Sequence, residues 1–277
     1  MAGKRYPTTS PMLLAVAASA GLLFACGGAG DESTESEENG LVGGVRESRW
    51  LAAGYVTRAE GSSELLCGAT LVAPNVAMTA AHCVYRNRDD ALAFGVGEVS
   101  SNRRYAVREV HYHPEAHLEA DGFIDPVHAL LLNDLAYLVL DVDVPDVAPA
   151  ELPIAKPQPA CNATLVAYGL DWGDEVVRKS VDGCVLFNAK LGTDAIFEVM
   201  PSYEGAICNR DGDEGHAALI PRADGGSTLL GVYVGSVTQG LTDCRKYVQF
   251  LNGYEATFGH LDFYEDAIAR GGEVASE

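Results

Sequence analysis

Thr79-Ala80-Ala81-His82-Cys83 decides how this chain is read. The stretch closes two short apolar runs, Leu65 to Val72 and Val76 to Ala80, which are separated by Pro74 and Asn75, as consecutive strands require. It therefore puts a histidine at the end of an apolar strand. A lone histidine there is ordinarily a satisfied core residue, so the meaning of His82 rests on what surrounds it.

The surroundings are those of an all-β protein. From Leu41 onward, short apolar runs punctuated by Gly, Pro, Asn and Asp predict twelve strands: Trp50 to Thr57, Leu65 to Val72, Val76 to Ala80, Leu92 to Val96, Arg104 to His111, Ala136 to Leu140, Ala163 to Tyr168, Gly183 to Asn188, Ala195 to Val199, His216 to Pro221, Thr228 to Val234 and Lys246 to Leu251. So many short strands point to barrels or sandwiches. Val142 to Pro159 carries five prolines, too many for a ladder, and is the expected linker between two halves. Phe258 to Ala269 is the one amphipathic helix, with Leu261, Tyr264 and Ile268 spaced to face a core. The 277 residues suffice for one large β unit or two modest ones.

The N-terminus reads as a targeting segment. Lys4 and Arg5 precede a mostly apolar run from Met12 to Ala25, too short for a comfortable membrane helix, so residues 1–25 are expected to be a signal peptide. Leu23-Phe24-Ala25-Cys26 resembles the lipobox of bacterial lipoproteins, in which the cysteine carries the lipid. The alternative is a plain cleaved signal. Residues 26–40 are acidic and Ser-rich, as suits a solvated tether. Seven cysteines are an odd number for an exported chain, and setting Cys26 aside leaves six. The expected location is the bacterial cell envelope, as an outer-membrane lipoprotein or otherwise periplasmic or secreted, with membrane contact through the lipid alone.

Charge narrows the partners. The formal net charge is −20, and loss of residues 1–25 removes Lys4 and Arg5 but no acid, leaving −22. A phosphate backbone would be repelled, so no nucleic acid is expected as a partner. Nor does the sequence call for a cofactor or a metal. His111, His113 and His117 cluster in a strand-to-loop segment and read as solvated.

Residues 41–271 resemble the trypsin/chymotrypsin family of serine proteases. Leu41-Val42-Gly43-Gly44 resembles its mature N-terminus, and Cys67-Gly68-Ala69-Thr70-Leu71-Val72 with Thr79-Ala80-Ala81-His82-Cys83 resembles its histidine strand pair. Asn133-Asp134-Leu135-Ala136-Tyr137-Leu138 resembles the aspartate segment, and Gly231-Val232-Tyr233 the strand lining the substrate pocket. The order of histidine, aspartate and nucleophile loop is also the family's. The resemblance implies two six-stranded antiparallel β-barrels and a C-terminal helix: a first barrel over 41–143, a linker over 144–159, a second barrel over 160–257 and the helix over 258–271. It implies a Cys67–Cys83 bridge and a Cys208–Cys244 bridge, with Cys161 and Cys184 left to pair. It makes His82 the general base and Asp134 its orienting partner.

The nucleophile loop departs from the family. The chain reads Gly212-Asp213-Glu214-Gly215 where the pattern is Gly-Asp-Ser-Gly, which puts Glu214 at the serine position, while counting from Cys208 without a gap puts Gly212 there. Neither side chain can form the usual acyl-enzyme. Glu38-Asn39-Gly40 before Leu41 offers no basic cleavage site, and Val234-Gly235-Ser236 stands where the family has Ser-Trp-Gly. Ala206 replaces the aspartate that gives trypsin its basic specificity, so any remaining pocket is uncharged. The expectation is a monomeric, catalytically silent homologue that binds a protein or peptide, with an active serine endopeptidase as the alternative. Glu214 beside His82 would hold the imidazole protonated.

Overall fold

Short apolar runs broken by Gly, Pro and Asn bury their apolar faces most readily by closing sheets on themselves. The computed structural model describes residues 44–59, 64–101, 103–116, 118, 133–156, 158–170, 176–186, 196–201, 214–237 and 251–275. The described chain enters through a two-residue strand, β1 (Val45–Arg46). Six strands then close into a barrel: β2 (Ala53–Arg58), β3 (Leu65–Ala73), β4 (Val76–Thr79), β5 (Leu92–Gly95), β6 (Arg104–Tyr112) and β7 (Ala136–Leu140), in the order β2-β3-β4-β7-β6-β5. Most of its strands are apolar on both faces, with Leu71, Val76, Met78, Phe94, Leu138 and Val139 all withdrawn from solvent.

The second sheet holds β8 (Ala160–Leu170), β9 (Val176–Leu186), β10 (Ile196–Pro201), β11 (Ala217–Pro221), β12 (Ser227–Val237) and β13 (Leu251–Ala256), ordered β1-β9-β10-β13-β12-β11-β8. Because β9 also pairs with β8, these six strands close on themselves and β1 hangs on β9. The protein is thus mostly β, with two closed sheets and a C-terminal helix, α2 (Leu261–Val274), which follows a 3-10 turn at Thr257–His260 and a single-turn helix, α1 (Ala81–Tyr85), much earlier in the chain. No helix among the described residues is long and apolar enough to cross a membrane.

Several boundaries differ from the sequence reading. Strand β9 starts at Val176, seven residues before the predicted Gly183, because Arg178 is buried instead of solvated. Its guanidinium donates to the carbonyls of Glu47 and Ala53 at 3.2 and 3.4 Å, so a charged residue fills an interior position through backbone acceptors. Strand β13 begins at Leu251, where the predicted strand ended; residues 246–250 lie outside the described set. The Pro-rich segment is pinned down: Val144, Val147 and Ala150 are buried, and Glu151 exchanges backbone hydrogen bonds with Ser227 and Leu229. The C-terminal helix starts three residues later than expected and runs to Val274, with Phe263, Tyr264, Ala267 and Gly271 buried and Leu261 and Ile268 at the margin.

Beside β1, Glu47 is almost wholly buried and accepts from the Arg49 backbone at 2.5 Å and from Ser180 Oγ at 3.0 Å, with Arg49 Nη2 at 2.9 Å. Burial opposes its charge, yet these donors prevail and lower its carboxyl from 4.5 to about 2. A depressed carboxylate stabilises the fold above its unfolded value and loses that contribution as pH falls through the folded value. Wild-type protein should therefore lose more stability than Glu47→Gln between pH 4.5 and 2 in chemical denaturation, by about 1 kcal/mol once screening at the exposed Arg49 is allowed for.

Candidate active site

Strand β4 ends at Thr79, whose hydroxyl donates to the Gly68 carbonyl at 2.7 Å and so ties β4 to β3. Ala80 remains extended, and the chain then turns at once into α1. His82 therefore sits on a one-turn helix just past the strand, a helix whose five residues are too few to show as a period in the sequence. The Cys67–Cys83 disulfide bridges β3 to this turn, and Ala81 N–H donates to the Asp134 carbonyl at 3.2 Å.

Asp134 is fully buried and precedes β7. Its Oδ1 accepts from the His82 backbone N–H at 2.8 Å, while Oδ2 faces His82 Nδ1 at 2.6 Å. One carboxylate thus fixes both the helix start and the ring. Burial pushes the His82 pKa down and is the largest single influence, but the charge and hydrogen bond of Asp134, joined by the charge of Glu214, outweigh burial and Arg86, so His82 titrates above its ordinary 6.5. Its other ring nitrogen, Nε2, lies 3.7 Å from Cys83 Sγ.

Glu214 approaches from the second sheet. Its carbonyl accepts from Gly68 N–H at 2.8 Å, and the next residue donates, Gly215 N–H to the Tyr233 carbonyl, also at 2.8 Å. Gly215 has a φ of +82°, and any Cβ there would collide with the Gly68 carbonyl oxygen, so the turn requires glycine. These backbone bonds set the Glu214 turn against the β3–β4 hairpin that carries His82. Val234 is buried with Cys67, Ala80 and Cys83, beside a register shift in β12 at Tyr233/Gly235. An apolar side chain, and no hydroxyl, therefore packs against the disulfide. Ser236 pairs with Asn252 in the ladder.

The remaining site residues fall in two groups. Cys161 and Cys184 are disulfide-bonded across β8 and β9. Ala206, Cys208, Gly212, Asp213, Cys244 and Cys26 lie outside the described residues, as does His117. Of the clustered histidines, His111 is not merely solvated: its Nε2 meets Glu109 at 2.8 Å and its ring stacks on Tyr137 at 4.6 Å. His113 packs edge-on against His260 and Phe263. The compact ligand-type group Cys67, His82 and Cys83 has both sulfurs committed to the disulfide and one ring nitrogen to Asp134, which leaves a single donor for an ion.

Sequence reasoning missed Glu255 and His260. Both are buried, His260 Nε2 meets Glu255 Oε2 at 2.9 Å, and Glu255 Oε1 accepts from Asp134 N–H at 3.3 Å. No motif marks them.

Two closed antiparallel sheets, with a buried histidine–aspartate pair where the β3–β4 hairpin meets a turn from the second sheet, define a serine-protease fold. A family model described as Trypsin matches residues 41–240, and the chain belongs to that family. The two disulfides among the described residues and this membership fit an exported protein.

A histidine whose folded pKa is raised adds stability that is complete below its unfolded value and is lost as pH rises through the folded value. Asp134→Asn should therefore lower the His82 midpoint in an NMR titration, and should cost more stability at pH 6 than at pH 9.

Proposed function

We propose that the protein is an exported, catalytically silent member of the trypsin family that binds a protein or peptide. The observation that carries this reading is the Glu214 turn: it is bonded through its backbone to the hairpin beside His82, and its carboxylate lies close enough to raise the His82 pKa. A carboxylate near the imidazole removes two things at once. It supplies no nucleophile for acyl transfer, and it favours the protonated ring, which cannot act as a base. Removing a triad nucleophile costs about a millionfold in kcat, or about 8 kcal/mol of transition-state stabilisation.

Other features support the same reading. Gly40 precedes Leu41 where the family is cleaved after a basic residue, and Val234 and Gly235 replace the pocket-strand residues Ser and Trp. Loops on a rigid barrel scaffold are well suited to recognising a partner surface. Residues 1–25 serve as the signal peptide, Cys26 as the lipid attachment and residues 26–40 as the tether that holds the domain away from the membrane. Cys208 and Cys244 would supply a third bridge.

The second reading, an active serine endopeptidase, is favoured by the intact 2.6 Å contact between His82 and Asp134. A fluorophosphonate probe separates the two. Purified mature protein should remain unlabelled and should leave an unstructured protein substrate intact. Covalent labelling that disappears in His82→Ala would establish the endopeptidase.

A further inference from the structure

The His82–Asp134 pair is backed by a second carboxylate–imidazole pair that the trypsin-type chemistry does not require. Glu255 is the penultimate residue of β13 in the second sheet, and His260 closes the 3-10 turn that leads into α2. Glu255 is 1% and His260 6% exposed. A buried carboxylate needs a donor for each oxygen, and both are supplied: Asp134 N–H for Oε1 and His260 Nε2 for Oε2. Asp134 is thereby held from both ends, its side chain by His82 and its peptide N–H by Glu255.

We propose that Glu255, with His260, is a positioning residue for the His82–Asp134 pair, one that ties the pair to the start of the C-terminal helix and tunes the charge of His82. Glu255 acts through the Asp134 backbone and touches no ligand. The proposal holds whether or not the cleft hydrolyses peptides.

Among the described residues, Asp134 faces this pair from the first-barrel side with His82 beyond it, His113 packs edge-on against His260 at 5.1 Å with Glu115 beside it, and Tyr264 comes from α2. Burial raises the Glu255 carboxyl and the charge of Asp134 adds to this, against the hydrogen bond and charge of His260 and the hydrogen bond from Asp134 N–H. Burial and the nearby His260 together lower His113. An ionised Glu255 places a second negative charge behind Asp134, which favours the protonated His82 ring.

The test is an NMR titration of His82 and of the Asp134 backbone amide in wild-type protein and in Glu255→Gln. The substitution keeps an acceptor for Asp134 N–H and nearly the same volume, and it removes the charge. It should lower the His82 midpoint, an effect that a purely structural role would not produce. An unchanged midpoint in the folded variant would overturn the proposal. Wild-type protein gives a second reading that does not depend on a variant folding: the Asp134 amide shift should show a titration step separate from that of His82. A single step coincident with His82 would also overturn it.

Discussion

The Asp134 carboxylate is the constraint on which the centre of the molecule depends. It is fully buried, so each of its oxygens must be met, and both are met by one residue: the backbone N–H and the Nδ1 of His82. Removing either partner would leave an uncompensated charge in a dry site, a change that typically costs about 3–5 kcal/mol. The single turn of α1, the orientation of His82 and the approach to β7 all follow from satisfying that one group.

The same pair joins parts of the chain that are distant in sequence. His82 follows the β3–β4 hairpin, Asp134 precedes β7, Glu255 lies near the end of β13, and Glu214 is bonded through its carbonyl to Gly68. The pair therefore has a structural use apart from any reaction, since it holds the first barrel against the second sheet and the helix that follows. On the proposed reading, this is how a histidine and aspartate of protease type persist without a nucleophile. The charge arrangement agrees, because the neighbouring carboxylates raise the His82 pKa and so favour the protonated ring, a better ion-pair partner and a poorer base.

Much of this was legible in the sequence, for physical reasons. Continuous apolar runs located the barrel strands from Leu65–Ala73 to Ala136–Leu140 closely, because most of these strands are buried on both faces and carry apolar residues at successive positions. The cysteines flanking the His82 hairpin and the Asp134 segment were recognisable as local motifs. What escaped was set by tertiary contact. Arg178 reads as a surface charge and is buried only because backbone carbonyls of Glu47 and Ala53 reach it. His82 sits on a turn of helix too short to leave a periodic signal. Glu255 and His260 look like unremarkable residues near the end of the chain, and their importance comes from lying behind Asp134, a neighbour 121 residues away from Glu255.

The central claim is that the His82–Asp134 pair is retained as a structural ion pair. A double-mutant cycle with His82→Gln, Asp134→Asn and the double variant, read by chemical denaturation at pH 6 and pH 9, tests it most directly. The account predicts a coupling of about 2 kcal/mol at pH 6 that shrinks at pH 9 as His82 loses its proton. Additive effects at pH 6, with no coupling between the two positions, would contradict it.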